Sequence, residues 1–265
     1  IILKSHHLIE ELMLLANKIV AKEFGKRFKG FPYRNHEVPK EIDIKEIRQN
    51  LLQSNIPTNI KQKLNKKNLS LHKMLSYIKG LKAEKLFAQL SLRAMPKANY
   101  NPKNMGHFGL GFKHYCHFTS PIRRYPDLLV HRFLKNILRE KKYNLDNAKN
   151  ISNECSRLEV NAMNAERDYT KRKQLRYLEN FIGDYFTGII SGMNPKGIFI
   201  QLDEILVDGF VSVKSLTDDY YVYNASQYSY RGRRYKQEFH IGDQVDVKVI
   251  YVNVQQSFAD FEMVI

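Results

Sequence analysis

The sequence predicts an α+β protein in which a helix-rich region is followed by a small all-β domain. Two observations carry this. Apolar residues recur at helical spacing in several stretches between His6 and Glu179, and after Phe181 the pattern changes to short β-branched and aromatic runs separated by Gly, Asn and Pro. A chain of 265 residues accommodates a core domain plus a smaller one, and the division falls at 1–178 and 179–265.

Taken in order, His6 to Phe24 places Leu8, Leu12, Leu15 and Ile19 one helical turn apart, and Ile9, Met13, Ala16 and Val20 widen the stripe until most of the circumference is apolar. A buried helix is expected there. A loop with Pro32 and Pro39 follows, and from Ile42 to Gln89 leucines and isoleucines alternate with lysines, as in short surface helices. Asn99 to Gly111 reads as irregular chain. A helix should begin near Pro121 or Pro126 and run to about Lys141, with Thr119 or Ser120 as its cap. Glu154 to Glu179 is expected as a long helix with Leu158, Ala162, Ala165 and Tyr169 on one face. Strands are expected at Phe186–Ile190, Gly197–Leu202, Phe210–Val213 and Val245–Val254, the last alternating Val245, Val247, Val249 and Tyr251 with Asp246 and Lys248.

The charge narrows the function. With 43 Lys and Arg against 27 Asp and Glu, the formal net charge is +16, which suits a polyanion or an acidic membrane surface better than a neutral metabolite. A merely basic protein is the plain alternative. The longest apolar run, Leu12 to Ala16, is far short of the ~20 residues that span a bilayer, and no signal peptide is recognisable, so no membrane association is expected. Cys116 and Cys155 lack metal-ligand spacing and are too few for a disulfide framework, which points to a reducing, cytoplasmic setting. The chain opens at Ile1, and a longer protein is expected upstream.

The segment from His117 to Arg132, HFTSPIRRYPDLLVHR, carries the chemistry. Arg123 and Arg124 are expected in the first helical turn, where the backbone dipole disfavours cations by ~0.3–1 kcal/mol, so an anion should compensate them. Free N–H groups at a helix start also bind phosphate, and the two features together suggest a phosphate clamp. The competing reading pairs these arginines with a carboxylate such as Asp127.

Together with Gly106–Leu110 (GHFGL), this segment resembles the ribonuclease II/R (RNB) family, more nearly its ribonuclease R branch. The stretches 7–17, 33–39, 92–95 and 165–168 agree with the resemblance in order. It implies a processive, magnesium-dependent 3′→5′ exoribonuclease that releases nucleoside 5′-monophosphates, acting as a monomer on single-stranded RNA or RNA with a 3′ overhang. RNA helicase or ribosome partners are left open. By resemblance, Arg123 and Glu166 are catalytic, Arg123 holding a phosphate and Glu166 lying near the cleavage site. The competing reading of Glu166 is a surface carboxylate beside Arg167 or Thr170. Arg124, Tyr125 and His107 join the RNA-binding set, and Glu10 and Glu11 either read the 3′-terminal ribose or face water. His107, His117 and His131 receive no metal role.

The chain also departs from that family. The resemblance implies Mg2+ on a cluster of aspartates, two of them adjacent, and no such pattern appears where it belongs, since Asp218-Asp219 lies in the β region. The magnesium site is therefore expected upstream, no metal ligand is assigned, and this piece alone is expected to be inactive. A non-catalytic RNA-binding or partner-binding fragment is the alternative; a DNA-binding protein is a weaker one, because no groove-reading module is recognisable.

Residues 179–265 resemble an S1-type OB-fold, through Phe186–Ile190, Lys196–Ile200, Asp208–Val213 and Ile241–Asp243. Lys196 and Phe199 are its candidate RNA contacts. The Tyr- and Arg-rich insertion 219–236, with Arg233 and Arg234, is either an RNA-stacking hairpin or a brace against the catalytic domain, and the mixture of cations and π-faces favours the hairpin.

Overall fold

The computed structural model describes residues 3–53, 56–66, 69–81, 83–141, 145–205, 207–225 and 227–264. In chain order the elements are α1 (Lys4–Phe24), β1 (Tyr33–Asn35), α2 (Glu41–Gln53), α3 (Thr58–Leu64), α4 (Leu71–Tyr77), α5 (Ala83–Ala94), β2 (Asn99–Asn101), α6 (Tyr125–Leu138) and α7 (Ala148–Leu178). The β region holds β3 (Tyr185–Asn194), β4 (Gly197–Leu202), β5 (Asp208–Ser212), β6 (Tyr221–Asn224), β7 (Ser229–Gly232), β8 (Glu238–His240), β9 (Gln244–Asn253) and β10 (Phe258–Val264). The chain divides into two compact units, one of residues 1–39 and 95–163, the other of residues 40–94 and 164–265.

The first unit is built on an aromatic core. Phe31, Cys116, Leu129, Val130 and Phe133 are buried together with Val20, Ala21 and Tyr33. Phe133 meets Phe28 at 4.9 Å between ring centroids, and Phe31 meets Tyr33 edge-on at the same distance. Gly25 makes room for this, because a Cβ there would lie 2.7 Å from the Tyr33 ring. The strands β1 and β2 pair antiparallel beside the core.

The expectation of a buried first helix is corrected. Only Asn17, Val20 and Ala21 of α1 are buried, while Leu8, Ile9, Leu12 and Leu15 are each at least half exposed. An all-apolar helix needs neighbours on every side, and within the described residues the core reaches only its C-terminal turns. The long helix α7 is corrected too. Leu158, Ala162, Ala165 and Tyr169 do not form a buried face; Ser152, Leu175 and Leu178 are the buried positions instead.

In the second unit, β3, β4, β5, β9 and β10 close a barrel in the order β10-β5-β4-β3-β9. The closing pair, β10 with β5, is parallel and the other pairs are antiparallel, as in the five-stranded Greek-key barrel of an OB-fold. Ile190, Ile198, Ile200, Leu202, Val211, Val247, Val249 and Phe261 fill it. Burying one such side chain contributes ~1.5–3 kcal/mol. Gly209 admits the Phe261 ring, which an added Cβ would approach to 2.1 Å.

The alternation expected for Val245 to Tyr251 holds through Val249 and then fails, because Tyr251 is exposed and Val252 is buried. The register shifts between Asp260 and Phe261, opposite Tyr251 and Val249, and the extra residue Ile250 reverses which face the following residues take. The strands β6, β7 and β8 form a separate antiparallel sheet that the strand pattern left unread.

Candidate RNA-binding and catalytic surface

The first unit shapes the segment 117–124 by hydrogen bonds from α1, far away in sequence, and from the following helix α6. Asn17 interrupts the apolar face of α1; its Oδ1 accepts from Phe118 N at 3.0 Å and its Nδ2 donates to Tyr115 Oη at 3.2 Å. His131 on α6 stacks on Phe118 at 4.4 Å and holds the Phe118 carbonyl through Nε2 at 2.9 Å. Asp127, in the first turn of α6, accepts from Ser120 N at 2.8 Å. Each end of the segment is therefore tied to a helix.

The helix starts at Tyr125, with Arg124 as its N-cap residue and Pro126 in its first turn. The expectation that Arg123 and Arg124 occupy the first turn is corrected: they precede it, in a turn where both backbone N–H groups donate to Ser120 O. Thr119 and Ser120 do not cap the helix. Proline at 121 lies too early, and the buried Asp127 carboxylate fixes the turn instead.

The two arginines differ in their surroundings. Arg124 Nη2 donates to Asp127 Oδ1 at 2.8 Å, so the carboxylate pairing weighed from the sequence is what this side chain makes. Arg123 is exposed and forms no ion pair among the described residues. Tyr125 is about half exposed, with the Arg132 guanidinium 5.9 Å above its ring.

Behind this segment lies a polar network. Arg34 on β1 pairs with Glu159 on α7 and sits 4.7 Å above the Tyr100 ring. Tyr100 Oη lies 2.8 Å from His117 Nδ1. Burial holds the Tyr100 hydroxyl far above its ordinary range. Burial, reinforced by Arg124, Arg34, His107 and Arg123, pushes His117 far below the usual histidine range, so the ring is neutral.

An open cleft of about 550 Å³ is lined by His36, Asn104, His107, Phe108 and Lys113, among others. Gly109 N donates to His36 Nδ1 at 2.8 Å and Leu110 N to His107 Nδ1 at 3.3 Å, which fixes both rings against the GHFGL turn. Burial and the neighbouring His36 and Arg34 push His107 down to about 4. This uncharged ring can offer a hydrogen bond or an aromatic face to a ligand.

Glu10 and Glu11 are exposed on α1, with Glu10 3.8 Å from His7 Nδ1. Glu166 is exposed on α7 and belongs to the second unit, while Arg123 belongs to the first. On the barrel, Phe199 points outward from β4 at 38% exposure beside Phe210, 5.2 Å away, and Lys196 is exposed in the β3–β4 turn. Asn194 shapes that turn by accepting from Lys196 N and Gly197 N. Arg233 and Arg234 stand in the β7–β8 turn, each over a tyrosine ring.

Comparison with known families places this geometry. The RNB domain model matches residues 2–140. The chain belongs to the RNB family. The S1 RNA binding domain model matches residues 179–263, the barrel and its inserted sheet. Ribonuclease R of Aquifex aeolicus is 36% identical over 98% of this chain and 37% of its own length; that of Escherichia coli is 31% identical over 98% and 33%. The chain thus spans little more than a third of the curated relatives it matches. The structure of Mycoplasma genitalium RNase R with ribose-methylated single-stranded RNA superposes with a TM-score of 0.82 at 27% identity, over all of this chain and 42% of that one. Its complex with double-stranded RNA gives 0.75 at 26% identity, over 98% and 42%.

Among the described residues of this RNB chain, no group of three or more His, Cys, Asp or Glu side chains could hold a metal ion. The donor set therefore does not fit the magnesium site that the resemblance implies. Among the same residues, no helix is long and apolar enough to cross a membrane. Sequence reasoning missed Asn17, Arg34 and Tyr100 as organisers of the RNB segment. The signal available for Asn17 was a lone amide in an apolar helix; Arg34 and Tyr100 offered none, because their partners lie 125 and 17 residues away.

Proposed function

We propose that the protein is a ribonuclease R-type exoribonuclease that degrades RNA processively from its 3′ end to nucleoside 5′-monophosphates with magnesium, acting as a monomer in the cytoplasm. This chain would supply the phosphate-holding side of the site and an RNA-binding barrel. The observation that carries the reading is Arg123: an exposed guanidinium with no ion pair among the described residues, at the end of a turn that Asn17, His131 and Asp127 fix, inside the segment the RNB model matches. The fixed backbone presents a guanidinium that is free to pair with charge developing on a phosphate, and a contact made chiefly at that stage stabilises the transition state more than the ground state. Arg124 fixes the turn that carries Arg123, through Asp127. In this reading Lys196 and Phe199 guide single-stranded RNA, or the 3′ overhang of a duplex.

The second reading, a non-catalytic RNA-binding fragment, is favoured for the 265-residue chain alone by its lack of a metal-holding carboxylate group among the described residues. One gel assay with a 3′-accessible oligonucleotide tests both. The chain should bind RNA and release no mononucleotides with magnesium, whereas the longer protein should release them. Mononucleotide release by the pure chain would overturn the division of the site. Absence of RNA binding would overturn the RNA-binding surface.

A further inference from the structure

The sheet β6–β7–β8 has one side anchored and one end open. Tyr230 is 1% exposed, and its hydroxyl donates to Asn194 O at 2.6 Å, which ties the sheet to the barrel's β3–β4 turn. At the open end, Tyr220 and Tyr235 are 66% and 61% exposed. The Arg233 guanidinium lies 4.5 Å above the Tyr220 ring, and that of Arg234 lies 5.1 Å above the Tyr235 ring. Arg231, nearby, is paired with Glu238 at 3.2 Å, but neither Arg233 nor Arg234 forms an ion pair among the described residues.

This end is a built structure. The Asp219 carboxylate accepts from Tyr220 N at 2.6 Å, Tyr235 N at 2.8 Å and Arg234 N at 2.9 Å. Desolvation opposes its charge, yet these N–H groups and that of Arg233 together hold it below the ordinary carboxylate range. Gly232 lets the carboxylate enter, since a Cβ there would stand 2.4 Å from Asp219 Oδ2. Gly232 N donates to Gln237 O at 2.9 Å and closes the turn that displays Arg233, Arg234 and Tyr235. The buttressed turn thus displays Arg233, Arg234 and Tyr235, and Tyr220, just before β6, stands under Arg233, so two exposed tyrosines and two cations lie together. Bases stack on aromatic and guanidinium planes while guanidinium groups pair with phosphates, so the ligand that matches both features is a single-stranded nucleic acid.

We propose that Tyr220, Arg233, Arg234 and Tyr235 form a second single-stranded RNA contact, additional to the Lys196 and Phe199 face, in which the tyrosines stack bases and the arginines hold phosphates. This rests on the RNA-binding reading above. The test is fluorescence anisotropy of the whole chain with a labelled oligoadenylate and with an abasic ribose-phosphate oligomer of equal length. Replacing both tyrosines, Tyr220→Ala with Tyr235→Ala, should weaken oligoadenylate about tenfold or more and leave the abasic oligomer unchanged, whereas the double Tyr→Phe variant should bind as the parent does. Arg233→Ala should weaken both probes and reduce the log–log salt slope by about 0.7.

Unchanged oligoadenylate affinity in the double Ala variant would overturn the proposal, as would equal losses for both probes, which would mark a charged surface without stacking. Failure of the parent chain to bind either probe would sink the RNA-binding reading as well. Binding that responds to Phe199→Ala alone would sink only this inference. Should the Ala variants misfold, a photo-crosslinking oligonucleotide on the parent chain decides: adducts on peptides containing Tyr220 or Tyr235 support the contact, and their absence removes it.

Discussion

The Arg124 guanidinium donates to Asp127 Oδ1 at 2.8 Å, and the carboxylate it meets is completely buried. The same oxygen accepts from Ser120 N, while Asp127 Oδ2 and Arg124 Nε have no hydrogen-bond partner among the described residues. One carboxylate thus joins the start of α6 to the turn that presents Arg123. The adjacent arginines differ: Arg124 pairs with Asp127, while Arg123 makes no ion pair among the described residues.

Asp127→Ala should destabilise the protein by about 3–5 kcal/mol, because it strands a largely buried guanidinium and removes the acceptor of Ser120 N. Asp127→Asn, which keeps an acceptor, should cost less. Urea unfolding of the two variants checks the order, and equal small losses would show that the pair is not needed to hold the turn.

Arg123→Ala should leave stability within about 0.5 kcal/mol of the parent, since the side chain is exposed and makes no ion pair among the described residues. In the longer, catalytically complete protein it should lower kcat much more than RNA affinity, as expected for a contact made chiefly in the transition state. Equal losses in turnover and binding would contradict that role.

Phe199→Ala should weaken single-stranded RNA binding by about 1–3 kcal/mol if the exposed ring stacks a base. Its contact with Phe210 makes a modest loss of stability expected as well. Anisotropy on the folded variant separates the two, and unchanged affinity would confine Phe199 to packing against Phe210.

Stability should fall with acid because of the neutral histidines. His117 and His107 have native pKa values held below the unfolded value, His107 at about 4, so below pH ~6.5 the unfolded chain binds more protons than the native one. Their contribution is complete above pH ~6.5 and is lost as the pH falls towards 4, at up to ~1.4 kcal/mol per pH unit for each ring. Urea midpoints from pH 7 to 4.5 measure this, and His117→Gln should flatten the dependence. An unchanged slope would mean that His117 is not kept neutral.

Much of the molecule was legible from local pattern. The change of character near residue 181, the strand Gly197–Leu202 and the presence of a helix after a proline at 121 or 126 follow from side-chain period, turn residues and the fixed φ of proline, all properties of a few neighbouring residues, whereas the choice of Pro126 came from the structure. The motif around Arg123 and Arg124 was equally plain, including the possibility that Asp127 would claim one of them.

What only the tertiary structure decided is which surfaces find partners. The apolar stripe of α1 marked a helix but could not reveal that just Asn17, Val20 and Ala21 would meet the core. The period of α7 fitted a face that stays exposed, because burial depends on what packs alongside, not on spacing within the helix. At Ile250 one extra residue reversed the inward and outward sense of β9, and only its pairing with β10 reveals that. Asn17 with Phe118 and Arg34 with Glu159 join residues 101 and 125 positions apart. Sequence period reports a residue's neighbours within one element; the closure of long loops selects the partners that set the Arg123 turn, and that selection is made by the packed chain as a whole.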